Sequence, residues 1–288
     1  MSSTADTLST TCCIIGGGPA GIMLGYLLAR QGVAVTVLEK HTDFFRDFRG
    51  DTIHPSTLEL LHELGLLEKF LTVPHAKVAR LSGFIGNTTV TMADFSHIPC
   101  RARFIALMPQ WDFLNFLASE ASRFPSFTLR MGWEATGLIQ EPDGTVKGVV
   151  ANTPNGPAEI PAHLTIGCDG RHAVSRDAAH AMSPVGGVGV NIAVQDAVAT
   201  ANILTECLLT SGATVHDIRT VQNYREPAVR KTQKLQVFAH RLLNGVLHSS
   251  GPFTPPLAFR MITGMPGFRY LTARFIGMGF QPEHIKYL

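Results

Sequence analysis

The sequence predicts an α/β fold built on a parallel sheet. Three stretches carry that reading. An apolar strand, a glycine-rich turn and a helix follow one another over residues 11–31. A β-branched strand at 33–38, "VAVTVL", closes a βαβ unit of about 30 residues. A further apolar strand, "HLTIGC" at 163–168, ends on Asp169-Gly170. Continuous apolar strands of this kind suit a sheet covered on both faces.

The remaining elements follow in chain order. "TCCII" at 11–15 is a short buried strand, and "AGIMLGYLLARQ" at 20–31 is a helix stopped by Gly32. Residues 57–71 form an amphipathic helix capped by Ser56 or Thr57. Residues 77–95 alternate around a Gly-Asn turn and predict a hairpin. "RFIALMPQ" at 103–110 is a strand running into a loop, followed by a helix at 111–123. Three strands are expected at 127–131, 133–140 and 145–151, the last two joined by the turn "EPDGT". "PVGGVGVN" is a loop, 190–210 is helical, and 214–248 is a long polar-basic helix bent at Pro227. The tail 251–288 is rich in Pro, Gly and aromatics.

Composition narrows the function classes. The chain has 288 residues, 45% hydrophobic and 16% charged, enough for a sizeable core. Net charge is +2 with no Lys/Arg block, so neither nucleic acid nor a membrane surface is an expected partner. No uncharged apolar run reaches about 18 residues, so no transmembrane helix is expected. The five cysteines, Cys12, Cys13, Cys100, Cys168 and Cys207, form no C-x-x-C pair and read as small buried hydrophobes in a reducing compartment. A cytoplasmic location follows as an expectation. No ligand set suggests a metal, and no G-x-S-x-G suggests a hydrolase. Nothing in the sequence sets an oligomeric state.

The motif with chemical content is "IIGGGPAG". It places Gly16-x-Gly18-x-x-Gly21, with Pro19 and Ala20, between a strand and a helix. Gly16 permits the tight turn, Gly18 lets the backbone approach a pyrophosphate, and Gly21 lets the helix pack close to the sheet. The helix N-terminus offers N–H groups and positive dipole to phosphate. Glu39, with Lys40 beside it, ends the second strand 18 residues after Gly21. A carboxylate there can accept adenosine ribose hydroxyls and repels a 2′-phosphate. This unit alone does not choose between FAD and NAD.

Three motifs together carry a family resemblance: "GGGPAG" at 16–21, "GCDGRHAVSR" at 167–176 and "DAAHAMSPVGGVGVN" at 177–191. The chain resembles the FAD-dependent aromatic hydroxylases, the single-component flavoprotein monooxygenases typified by para-hydroxybenzoate hydroxylase. The resemblance implies a Rossmann-like FAD-binding domain, three-layered with a parallel sheet and a β-meander, followed by C-terminal helices. It implies FAD as cofactor, NADH or NADPH as reductant, and a small aromatic substrate in full-length relatives. By resemblance, Gly16, Gly18, Gly21 and Glu39 hold the ADP part of FAD. Asp169 and Gly170 lie beside the pyrophosphate, and Asp177 binds the ribityl chain. Pro184 stands at the reactive flavin edge. Gly187, Gly189, Val190 and Asn191 meet the flavin pyrimidine ring with backbone amides, where a helix N-terminus can stabilise negative charge on the reduced flavin. Arg49 in "FRGDTIHP" and Gln110 in "MPQWDFL" match positions that touch FAD.

The second and third motifs abut at Arg176/Asp177. In the family they are separated by a substrate-binding β-sheet domain on the order of 100 residues, so that domain is expected to be largely absent here. The expected division is 1–212, an FAD-binding domain, and 213–288, a helical region packing on it. Loss of the cover over the flavin predicts an oxidoreductase of the NAD(P)H- and O2-dependent class that is shortened and uncoupled or inactive. The alternative is a non-catalytic remnant or interaction protein derived from such a monooxygenase.

Overall fold

A computed structural model describes residues 8–45, 51–85, 88–169, 188–247, 265 and 267–287. The βαβ unit forms as expected: β1 (Thr10–Ile15), α1 (Pro19–Arg30) and β2 (Val35–Glu39). The segment β3 (Thr52–Ile53), α2 (Pro55–Glu63) and α3 (Leu67–Phe70) follows. The helix expected over 57–71 is thus two helices. Gly65, at φ +72°, separates them in a conformation that ends a helix cheaply only at glycine. Then come β4 (Ala76–Val78), β5 (Arg80–Ile85), β6 (Thr88–Asp94), β7 (Ile105–Leu107) and α4 (Gln110–Ala121). The expected hairpin is β5–β6, whereas β4 leaves it to pair with β7.

The main sheet is completed by β8 (Phe127–Met131), β9 (Glu134–Gln140), β10 (Val146–Thr153) and β11 (Gly156–Gly167), in the order β8-β2-β1-β11-β10-β9. Strands β8, β2, β1 and β11 run parallel, while β9, β10 and β11 form an antiparallel meander. One strand belongs to both parts. The first half of β11 pairs with β10 from Gly156 to Pro161, and the second half pairs with β1 from Ala162 to Gly167. The sequence showed only the second half. Pro157 and Pro161 read as strand breakers, yet both sit at solvent-facing positions of β11.

Two apolar layers flank the parallel strands. Ile14, Ile22, Met23, Leu28, Val37 and Leu117 are fully buried on the helical side. Cys13, Ile15, Leu38, Val149 and Ile160 are buried on the meander side. Alternate residues of β1 therefore enter opposite cores, which explains its unbroken apolar sequence. Each such side chain contributes about 1.5–3 kcal/mol when fully buried. α1 approaches the sheet closely at Gly25, where a Cβ would stand 2.8 Å from the Phe127 ring and 2.9 Å from Val37.

Three further helices are described: α5 (Val188–Leu209), α6 (Val215–Leu247, with Pro227 inside it) and α7 (Phe268–Met278). α5 is long and apolar enough by composition to cross a membrane, but 56% of its most apolar stretch is buried inside the protein. Val190, Val194, Val198 and Ala201 pack into the same core as α1, the burial expected of a core helix.

The last residues form a strap over these helices. Asn202 donates to the His284 carbonyl (2.8 Å) and accepts from the Lys286 amide (3.0 Å). Glu63 accepts from the Ile285 amide (2.8 Å), and Gln31 donates to the Tyr287 carbonyl (3.1 Å). Arg225, 5% exposed, joins α6 to both neighbours: its Nε donates to Asp196 of α5 (2.7 Å) and its Nη1 to Glu283 of the strap (2.6 Å).

Candidate cofactor site

The glycine loop lies where β1, β2 and β11 end together. The Gly16 amide donates to the Leu38 carbonyl (2.7 Å), and the Cys168 amide donates to the Ile15 carbonyl (2.6 Å). Gly16 has φ +106°, and a Cβ there would stand 2.7 Å from the Cys168 carbonyl and 2.8 Å from the Asp169 amide. Gly21, in the first turn of α1, is tighter still: a Cβ would lie 1.9 Å from the Gly16 carbonyl oxygen. Backbone meets backbone at both positions, so no side chain can move aside.

Gly18 is different. It is the N-cap of α1, and among the described residues a Cβ there would meet nothing within 4 Å. It provides no side-chain cap, the first turn carries no acidic residue, and Pro19 starts the helix without an N–H. The Ala20 and Gly21 amides belong to the group that a helix leaves without an internal acceptor. Closed glycines at 16 and 21 thus frame an open one at 18. This suits an anion approaching the backbone, and it fits the pyrophosphate of a dinucleotide.

Glu39 ends β2 only 4% exposed. Its Oε2 accepts from the Gly17 amide (2.9 Å) and its Oε1 from the His41 amide (3.0 Å). The same contact explains Gly17, which the spacing of the motif left unassigned: a Cβ there would lie 2.9 Å from the Glu39 Cβ. Lys40 is exposed beside it.

Gln110 opens α4, half-buried. The Met108 amide donates to the Asp51 carbonyl (3.0 Å), which brings the 51–53 segment beside that helix start. Asp169 follows β11 against Gly16. Gly189, Val190 and Asn191 lie in the first turn of α5 (Val188–Leu209). Arg49, Gly170, Asp177, Pro184 and Gly187 lie outside the described residues.

Asn191 has a second role that its motif did not show. Its Oδ1 accepts from the His54 amide (2.8 Å) and the Thr57 hydroxyl (2.7 Å), and its Nδ2 donates to the Thr52 carbonyl (3.3 Å). The side chain therefore ties the first turn of α5 to the β3–α2 junction.

A cleft of about 450 Å3 opens between the loop after β2 and the outer face of α4, lined by Asp43, Phe44, Phe45, Trp111, Asn115 and Met131 among others. It does not include the glycine loop. Among the described residues no cluster of His, Cys, Asp or Glu could hold a metal. The cysteines are free thiols, and burial pushes those of Cys13 and Cys168 up to about 12, far from nucleophilic readiness.

A family model described as "FAD binding domain" matches residues 9–176 and 177–234. The chain belongs to that family. Its match falls in two pieces that abut at 176/177, the position where the sequence motifs abut. The chain is 31% identical over 176 residues to the 6-methylpretetramide 4-monooxygenase of Streptomyces rimosus, covering 60% of this chain and 41% of that protein. It is 30% identical over 163 residues to the rifampicin monooxygenase of Streptomyces venezuelae, covering 57% and 32%. The chain thus spans less than half the length of these relatives. Among solved structures, the OxyS anhydrotetracycline hydroxylase from Streptomyces rimosus superposes with a TM-score of 0.77 at 20% identity, over 93% of this chain and 76% of that one, a likeness of fold.

Proposed function

We propose that this chain binds FAD on the β1–α1 loop as an oxidoreductase related to the NAD(P)H- and O2-dependent aromatic monooxygenases. The observation that carries the reading is the contrast at the loop: Gly16 and Gly21 are closed by backbone, and among the described residues nothing stands within 4 Å of a Cβ at Gly18. In this reading the Ala20 and Gly21 amides, with Gly18 and Pro19, receive the pyrophosphate. Glu39 and Lys40 take the adenosine side, and Asp169 with Gly170 flanks the pyrophosphate. Asp177 takes the ribityl chain, and Arg49 and Gln110 touch the cofactor from the other side. Gly187, Gly189, Val190 and Asn191 present amides to the flavin pyrimidine ring, with Pro184 at its reactive edge. Residues 1–212 form the FAD-binding unit and 213–288 brace it, in a chain that works in the cytoplasm.

Bound there, the flavin supplies the electron transfer, and the chain's share is to bind, orient and exclude water. The relatives are named as a 6-methylpretetramide 4-monooxygenase and a rifampicin monooxygenase. The abutting motifs support a site with less cover, in which NAD(P)H, one proton and O2 are converted to NAD(P)+ and H2O2 with little hydroxylated product. The test is aerobic oxidation of NADH and NADPH by the FAD-loaded chain with a phenolic substrate present. The expected result is nicotinamide oxidation above that of free FAD, with H2O2 yield close to one per nicotinamide. No oxidation above free FAD contradicts it.

A further inference from the structure

His54 stands where three elements meet and is 1% exposed. Its carbonyl starts α2, accepting from the Thr57 and Leu58 amides at 3.0 Å each. Its amide donates to Asn191 of α5 (2.8 Å). Its ring Nδ1 lies 2.7 Å from the Ile276 carbonyl oxygen in the last turn of α7. A carbonyl only accepts, so Nδ1 carries the hydrogen and Nε2 keeps its lone pair. Nε2 is buried with no hydrogen-bond partner among the described residues, and burial lowers the imidazole pKa to about 4, which keeps the ring neutral.

The Ile276 carbonyl is one of the last four of α7, the set that a helix leaves without an internal donor. The imidazole therefore caps α7 from the side. α7 also presses close at this point: a Cβ on Gly277 would lie 3.2 Å from Pro55 and 3.3 Å from the Phe95 ring. A leucine would fill the same space without an unsatisfied nitrogen, but it cannot make the bond to Ile276. The histidine accepts one orphaned atom and gains a fixed link between α7 and the junction that Asn191 also holds.

We propose that His54 is a positioning residue for the cofactor site: its ring fastens α7 to the β3–α2 junction, and that junction, through Asn191, fixes the first turn of α5. The inference rests on the reading that this turn faces the flavin. No atom of His54 needs to touch FAD. The test compares three variants by FAD dissociation constant, from quenching of flavin fluorescence, with far-ultraviolet circular dichroism as the control for folding. His54→Asn puts an amide N–H2 where Nδ1 stands, His54→Gln puts it one bond further out, and His54→Leu removes it. The expected result is FAD binding at least fivefold weaker for the Leu and Gln variants and within twofold of wild type for the Asn variant. A folded Leu or Gln variant that binds FAD as tightly as wild type overturns the proposal, as does an Asn variant weakened as much as Leu. If the Leu variant does not fold, Gln against Asn decides in the same way. Loss of folding in all three makes His54 a packing residue and also overturns it. A wild-type chain that binds no FAD refutes the FAD reading itself, and is recognised because the wild type fails before any variant is compared.

Discussion

Gly21→Ala is expected to destabilise the protein by at least about 3 kcal/mol, at the upper end for overpacking. The added methyl would stand 1.9 Å from the Gly16 carbonyl oxygen, well inside contact distance, and the atom it meets is backbone. Relief requires α1 to move away from the loop, and α1 carries Ile22, Met23 and Leu28 of the core. For a chain of this size the loss corresponds to a fall in Tm of roughly 5 °C or more. Gly18→Ala is expected to do the opposite. Its backbone, at φ −74° and ψ −175°, suits alanine, and among the described residues the methyl meets nothing within 4 Å. Tm should stay within about 1 °C, while FAD binding weakens tenfold or more, about 1.4 kcal/mol, because the methyl occupies the pyrophosphate's approach. Thermal melts with and without FAD read both effects. Equal Tm losses in the two variants would contradict the division of roles within the loop.

Arg225→Met is expected to cost about 3–5 kcal/mol at pH 8, the range for removing one partner of a buried ion pair. The guanidinium and the Glu283 carboxylate have side chains only 6% and 4% exposed. Burial already raises the Glu283 pKa above the ordinary 4.5, against the pull of Arg225. Without Arg225 the carboxyl rises further and takes up a proton when folded. The sign follows from linkage. Between the unfolded pKa and the raised folded pKa the folded state binds more protons, so stability falls as pH rises through that window. The variant's deficit should therefore be larger at pH 8 than at pH 5. Arg225→Met with Glu283→Gln should recover most of it, because the deeply buried carboxylate is gone and Asp196, the other partner of Arg225, has a side chain 27% exposed to solvent. Denaturant unfolding at the two pH values measures this, and a deficit independent of pH, unrelieved by the second change, contradicts it.

The parts of the fold that the sequence displayed are those written in local patterns. The β1–α1–β2 unit shows itself through glycine spacing, β-branched runs and an acidic strand end, all within 30 residues. The antiparallel half of β11 did not, because Pro157 and Pro161 imitate a loop while facing solvent on a paired strand. The break at Gly65 leaves no local mark, because a single glycine inside an amphipathic pattern is tolerated at about 1 kcal/mol. In the site, the roles of Gly16, Gly18 and Gly21 were legible, but the need for glycine at 17 was not. It arises from Glu39, 22 residues away. His54 bonds to Asn191 across 137 residues and to Ile276 across 222, and no local pattern encodes such contacts.

The central claim is that the residues on either side of the 176/177 junction, as they stand in this chain, build an FAD site. Its most direct test is the visible absorption spectrum of the purified chain, followed by titration with FAD. A bound-flavin spectrum saturating at about one FAD per chain is the predicted result. A spectrum that stays that of free flavin, with no binding at high micromolar FAD, would contradict the claim and leave a chain with the family's fold but without its cofactor.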